Sequence, residues 1–210
     1  MHEKVLPQGS RKLLDALGRM RHGCLKNWVL AGGTGLALHL GHRVSEDFDF
    51  FRTDDLDLRQ LHKVLRGIGK YEILQESEDT LTVIVLGIKI SFFRIRDPFI
   101  YPAKPYSFFA VADLRDIALM KLAAISGRGS RKDFIDLYTI LRFGPSLRDY
   151  FSELPKKYRK DRVNAYHILK SLTYFEDAEQ EPMPRMLEPF DWKECKDFFV
   201  RQAHSIIMPP

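Results

Sequence analysis

The stretch LAGGTGLALHLGHRVSEDFDFF, residues 30–51, changes its hydrophobic period twice over a short length of chain. Trp28, Val29 and Leu30 form a short apolar strand that stops at Ala31, Gly32 and Gly33. Leu36 to Leu40 reads as a short helix, and Asp47 to Phe50 alternates acid with Phe at a period of two, which marks a half-buried strand. Upstream, Leu13, Leu14, Leu17 and Met20 predict a helix over 10–21 behind a Ser10 cap. Downstream, Leu56 to Ile68 returns to helical spacing. The β-branched content then rises from Tyr71 to Phe93, and LTVIVLGIKISFF at 81–93 turns at Gly87, which predicts two tightly joined strands. Asp97, Pro98, Pro102 and Pro105 punctuate a loop.

From Asp113 onward the pattern is helical, over 114–125, 131–142, 146–153, 162–174 and 191–206. A mixed half followed by a helical half predicts an α+β fold with a domain at 1–110 and a helical domain at 111–210. A cleft between them is the expected ligand site. The segment 171–187, acidic and broken by Pro182 and Pro184, reads as surface.

Composition narrows the function classes. With 210 residues, 45% hydrophobic and 29% charged, the chain has enough apolar mass for a core, which excludes disorder and fibre. Its apolar runs are too short to span a bilayer, so no membrane is expected, and Met1 to Arg21 lacks the apolar centre of a secretory signal. Cys24 and Cys195 lie far apart with no metal-ligand pattern around His22 or around His39 and His42; reduced thiols and a cytoplasmic location are expected. A net charge of +5 suits an anionic ligand without demanding one.

Several residues carry candidate chemistry. On a strand, Phe48 and Phe50 face the core while Asp47 and Asp49 face the other way about 7 Å apart, a geometry that clasps a hard cation. Glu46 to Asp57 contains six acids and one Arg, a charge of −5 that needs solvation or a counter-cation. An acidic surface turn is the plainer reading. Gly32, Gly33, Thr34 and Gly35 follow a strand and open a helix, where backbone N–H groups suit a phosphate; a tight turn is the alternative. The segment is neither a Walker loop nor a dinucleotide fingerprint, since Leu38 falls where the third glycine belongs. Lys121 sits on the apolar stripe of its helix, either reaching into a cleft or snorkelling. Ser130 with Asp133 resembles a capping box, and Arg131 and Lys132 place positive charge in a first turn, where an anionic ligand or acidic partner relieves it; Lys132 and Asp136 are spaced as an i, i+4 pair. Lys156, Lys157, Arg159, Lys160 and Arg162 around Tyr158 suit a nucleic-acid backbone or a solvated face.

The block at 30–51, followed by DIALMKLAAISGRGSRKDFIDLYTIL at 116–141, resembles the AbiEii/AbiGii family of nucleotidyltransferase-like toxins of abortive-infection and toxin-antitoxin systems, within the polymerase-beta-like superfamily. The resemblance spans about residues 28–142. It implies a nucleotidyltransferase-like mixed sheet with flanking helices, and transfer of a nucleotide from a nucleoside triphosphate, with Mg2+, to an acceptor such as RNA, possibly tRNA, or protein. A cognate antitoxin is the implied partner. By position, Gly32, Gly33 and Thr34 would hold the triphosphate, Asp47 and Asp49 the metal, and Lys121, Arg131 and Lys132 the phosphates. Asp133 would act as base or position the acceptor. One departure stands out: LGIKISFF presents Lys89, Ser91 and Phe93 on the face where relatives of this superfamily carry a third carboxylate. A catalytically inactive nucleotide-binding protein of the same fold, or a partner-binding protein, is therefore the alternative.

Overall fold

The structure is a computed structural model that describes residues 1–20, 25–159 and 161–206. Cys24, His22 and Lys160 lie outside the described residues. The chain divides into two units, Met1–Asp113 and Leu114–Pro210.

The first unit is built on a seven-stranded mixed sheet. Its strands are β1 (Val29–Ala31), β2 (Phe48–Arg52), β3 (Tyr71–Ser77), β4 (Thr80–Val85), β5 (Ile88–Arg94), β6 (Lys104–Tyr106) and β7 (Phe109–Val111), in the order β3-β4-β5-β2-β1-β7-β6. β1 runs parallel to β7 and β2 parallel to β5, and the remaining pairs are antiparallel. Around it lie α1 (Gln8–Arg19), α2 (Gly32–Leu40) and α3 (Leu58–Ile68). The Phe alternation sets the face of β2: Phe48 and Phe50 are fully buried, and Phe50 stacks on Phe92 at 5.9 Å while Trp28 meets Phe92 edge-on at 5.2 Å. Burying each such side chain contributes about 1.5–3 kcal/mol, which is why the register places the acids on the opposite face.

The β4–β5 turn falls at Leu86 and Gly87, both at positive φ (52° and 77°), as a two-residue hairpin loop requires. The proline-rich loop contains a hairpin that the punctuation concealed. Pro105 is tolerated there because β6 is the last strand of the sheet, where a missing N–H costs no ladder bond. Ser10 is not a cap: α1 begins at Gln8 after Pro7, and the buried Ser10 Oγ donates to Glu46 O at 2.9 Å.

The second unit is helical among its described residues: α4 (Leu114–Gly127), α5 (Arg131–Phe143), α6 (Leu147–Lys157), α7 (Ala165–Ser171), α8 (Glu176–Gln180) and α9 (Trp192–Ser205). Phe134 is its aromatic centre, in contact with Phe175, Trp192 and Phe199. α6 continues through Pro155 because a proline in the last turn removes one helical bond only. α8 lies inside the acidic 171–187 segment and buries Ala178. No helix among the described residues is long and apolar enough to cross a membrane.

Candidate functional site

In the first unit the glycine turn and the acid pair meet. β1 and β2 are antiparallel with Ala31 opposite Asp49, so the residue that follows β1 lies beside the carboxylate. Gly32 has φ +64°, and a Cβ built there would sit 2.9 Å from Asp49 Oδ2. Ala31, the residue before α2, makes no side-chain cap bond to its first turn. Gly33 has a comparable constraint, since a Cβ there would collide with the guanidinium of Arg43, a residue only 3% exposed.

The 45–47 segment that delivers Asp47 is tied on three sides. Thr34 Oγ1 donates to Asp47 O, and Ser45 Oγ lies 2.7 Å from Thr34 Oγ1. Because the Thr34 proton is already given to the carbonyl, Ser45 is the donor to Thr34. Ser45 N donates to Val5 O at 3.1 Å, and Ser10 holds Glu46 O. Thr34 thus couples the glycine turn to the acid strand. Arg43 and Ser45 escaped the sequence reading, and Ser10 was read as a cap, because their roles depend on contacts between distant parts of the chain.

One row across the sheet reads Ala31, Asp49, Ser91, Thr82 from β1 to β4. Ser91 is the register partner of Asp49 and is 2% exposed. Two residues earlier on β5, Lys89 Nζ lies 3.0 Å from Asp47 Oδ2, with both side chains nearly half exposed. Two further acids of the −5 stretch find counter-charges, Asp54 in Arg52 at 2.9 Å and Asp55 in Arg94 at 3.0 Å. Asp47 and Asp49 are hard oxygen donors on one face, which fits a magnesium ion held by one or two carboxylates with phosphate and water completing its shell. No cluster of three or more His, Cys, Asp or Glu forms a protein-only cage among the described residues.

In the second unit, Lys121 and Asp133 are internal. Lys121 Nζ lies 2.8 Å from Asp133 Oδ1 and 2.6 Å from Asp136 Oδ2; its side chain is 6% exposed and both acids are fully buried. Arg128, largely exposed, bridges Asp133 with two bonds of 2.7 and 3.0 Å. Ser130 caps α5, accepting from Asp133 N and donating to Asp133 Oδ2, so the capping relation read from the sequence is present. Burial by itself would depress the Lys121 ammonium, but Asp136 and Asp133 outweigh it and raise its pKa above the usual lysine range. Burial likewise works to raise Asp133, but Lys121 and Arg128 prevail and lower it. Asp136 faces Lys121, and Lys132 stays exposed, so the i, i+4 pairing gives way to the buried network.

The positive first turn of α5 is relieved from within the chain. Arg131 N donates to Glu181 Oε2 at 2.9 Å, and the Arg131 guanidinium holds Ala178 O and Glu179 O beside Trp192. The basic run at 156–162 is not one exposed face either: Lys157 is buried and lies 2.7 Å from Asp116.

Gly32→Ala is expected to strain the turn and displace the Asp49 carboxylate, lowering nucleotide affinity at least about tenfold while the fold persists. Calorimetric titration with a magnesium–triphosphate complex checks this; unchanged affinity would show that the close approach has no part in binding.

A family model described as nucleotidyl transferase AbiEii toxin, type IV TA system, matches residues 15–206. An uncharacterised protein of Aquifex aeolicus strain VF5 is 39% identical over 191 residues, covering 88% of this chain and 90% of its own. Among solved structures, a putative nucleotidyltransferase from H. pylori is similar with TM-score 0.57 and 18% identity, over 93% of this chain and 92% of that one. The nucleotidyltransferase toxin MenT4 of Mycobacterium tuberculosis H37Rv is similar with TM-score 0.58 and 14% identity, over 96% and 87%. These two likenesses show the shared α+β fold.

Proposed function

The chain belongs to the AbiEii nucleotidyltransferase toxin family, and from that premise we propose that it transfers a nucleotide from a nucleoside triphosphate to an RNA acceptor such as tRNA, or to a protein, as the toxin of a pair with a cognate antitoxin. The observation that carries the reading is the approach of the Asp49 carboxylate to Gly32, which brings the acid strand and the glycine turn together. Gly32, Gly33 and Thr34 present first-turn amides of α2 to the triphosphate. Asp47 and Asp49 hold magnesium, which when bound neutralises charge on the transferred phosphate. Thr34 and Ser45 keep the acid strand in register with that turn.

In the second unit, Lys132 is the exposed member of the three basic residues that the family resemblance assigns to phosphate, and Lys121, Arg131 and Asp133 position the start of α5. A carboxylate whose pKa is lowered is a poor proton acceptor near neutral pH, so of the two roles open to Asp133 positioning is favoured over general base. The site operates in a cytoplasmic, reducing setting, which suits the free, buried Cys195.

Incubating the purified chain with Mg2+, each α-labelled nucleoside triphosphate and total RNA should attach label to RNA. Absence of label on RNA and protein alike, with triphosphate binding intact, would favour the inactive binding protein that Ser91 suggests.

A further inference from the structure

We propose that Lys89 is a nucleotide-contacting residue that supplies the second positive charge of the site, in place of a second metal ion. The inference rests on the reading of Asp47 and Asp49 as cation ligands. Its independent support is the register of β2 and β5: Asp49 faces Ser91, a neutral and buried hydroxyl, while the ammonium of Lys89 stands two residues away on the same face, 3.0 Å from Asp47 Oδ2.

Charge balance gives this pairing its meaning. A site with three carboxylates and two divalent cations carries a net charge of +1 toward the triphosphate. Two carboxylates, one divalent cation and one ammonium carry the same +1. Two divalent cations beside only two carboxylates and Lys89 would raise it to +3, with strong repulsion at close range. The neutral Ser91 and the cationic Lys89 are thus compensating features of one electrostatic arrangement. Lys89 is also placed to move. Its side chain is 44% exposed on a flexible stem, and its pair with Asp47 is half in water, so the pair is easily broken. Without a nucleotide the ammonium rests on Asp47. When a metal–triphosphate engages that carboxylate, the ammonium is released to a phosphate oxygen, where a charge-assisted bond is stronger.

The test uses the full chain and Mn2+ as probe, followed by electron paramagnetic resonance. In the absence of nucleotide, Lys89→Met should bind Mn2+ about three- to fivefold more tightly than the unsubstituted chain, because the competing cation on Asp47 is gone. With Mg2+ and a non-hydrolysable triphosphate, the same variant should bind nucleotide about tenfold more weakly. The double variant Lys89→Met, Ser91→Asp should take up two Mn2+ ions per chain instead of one. Opposite shifts in metal and nucleotide affinity are a signature that a merely structural lysine would not produce. Shifts in the same direction, or none, in a chain whose Mn2+ binding still depends on Asp47 would overturn the role of Lys89 alone. Failure of the unsubstituted chain to bind Mn2+ through Asp47 would overturn the carboxylate reading and this inference together.

Discussion

Replacing Asp47 and Asp49 together with alanine is expected to abolish metal-dependent triphosphate binding and to lower nucleotide transfer at least about 10³-fold, leaving the fold intact. The size of the loss follows from the role proposed for the pair: without the carboxylates no divalent cation would be held beside the α2 amides, and electrostatic stabilisation of the transferred phosphate is the largest single contribution to such reactions. For Asp47 the small structural cost follows from exposure. Asp47 has a half-exposed ion pair with Lys89, and its backbone carbonyl, not its side chain, is what Thr34 holds. Removing two negative charges from a −5 stretch also relieves self-repulsion, so the stability change stays within about 1 kcal/mol. Thermal-shift titration with Mg2+ and triphosphate checks both halves. A retained ligand-induced shift would end the site assignment, whereas a collapsed melting transition without ligand would make the acids structural.

Lys121→Met destabilises the second unit by about 3–5 kcal/mol, read by denaturant unfolding, because it leaves Asp136 and Asp133 buried without their common counter-ion. The position of Lys121 on an apolar stripe left a reach into a cleft and a snorkelling stem both open; enclosure by two fully buried acids makes stability the property its loss is expected to change first. Arg128→Ala costs less, since its guanidinium is mostly in water. The network also sets a pH window. Asp133 has a lowered native pKa, so its contribution is complete above the ordinary carboxylate value and is lost as pH falls through the lowered one. Lys121 has a raised native pKa, so its contribution is complete below the ordinary lysine value and is lost as pH rises through the raised one. Stability of this unit should therefore be flat through neutral pH and fall at both extremes. In Lys121→Met the acid limb should shift toward neutral pH, because the buried acids then protonate more readily. A variant as stable as the parent, with an unchanged acid limb, would contradict the buried-charge account.

Much of the first unit was legible residue by residue. Period-two Phe spacing gave the face of β2, and Gly87 gave the β4–β5 turn, because both depend on neighbours in sequence. β6 and β7 were hidden by prolines whose tolerance depends on being at the sheet margin, a property of strand order. The partners of Arg131 were hidden for the same kind of reason. A positive first turn called for an anion or an acidic partner, but nothing local says that Glu181, fifty residues away, accepts from its backbone N–H or that Glu179 faces its guanidinium.

What the sequence determined by itself is the chemistry available: two acids on one strand face, glycines where a backbone must come close, and a serine and a lysine where a third acid is expected. Hydrophobic period and residue size impose these locally. What only the tertiary structure decided is which groups confront one another: Asp49 beside Gly32, Lys89 on Asp47, and Lys121 on Asp133 and Asp136. The physical reason is that side-chain charge acts over a few ångströms, and such distances between residues far apart in the chain are set by strand register and helix packing, not by spacing along it.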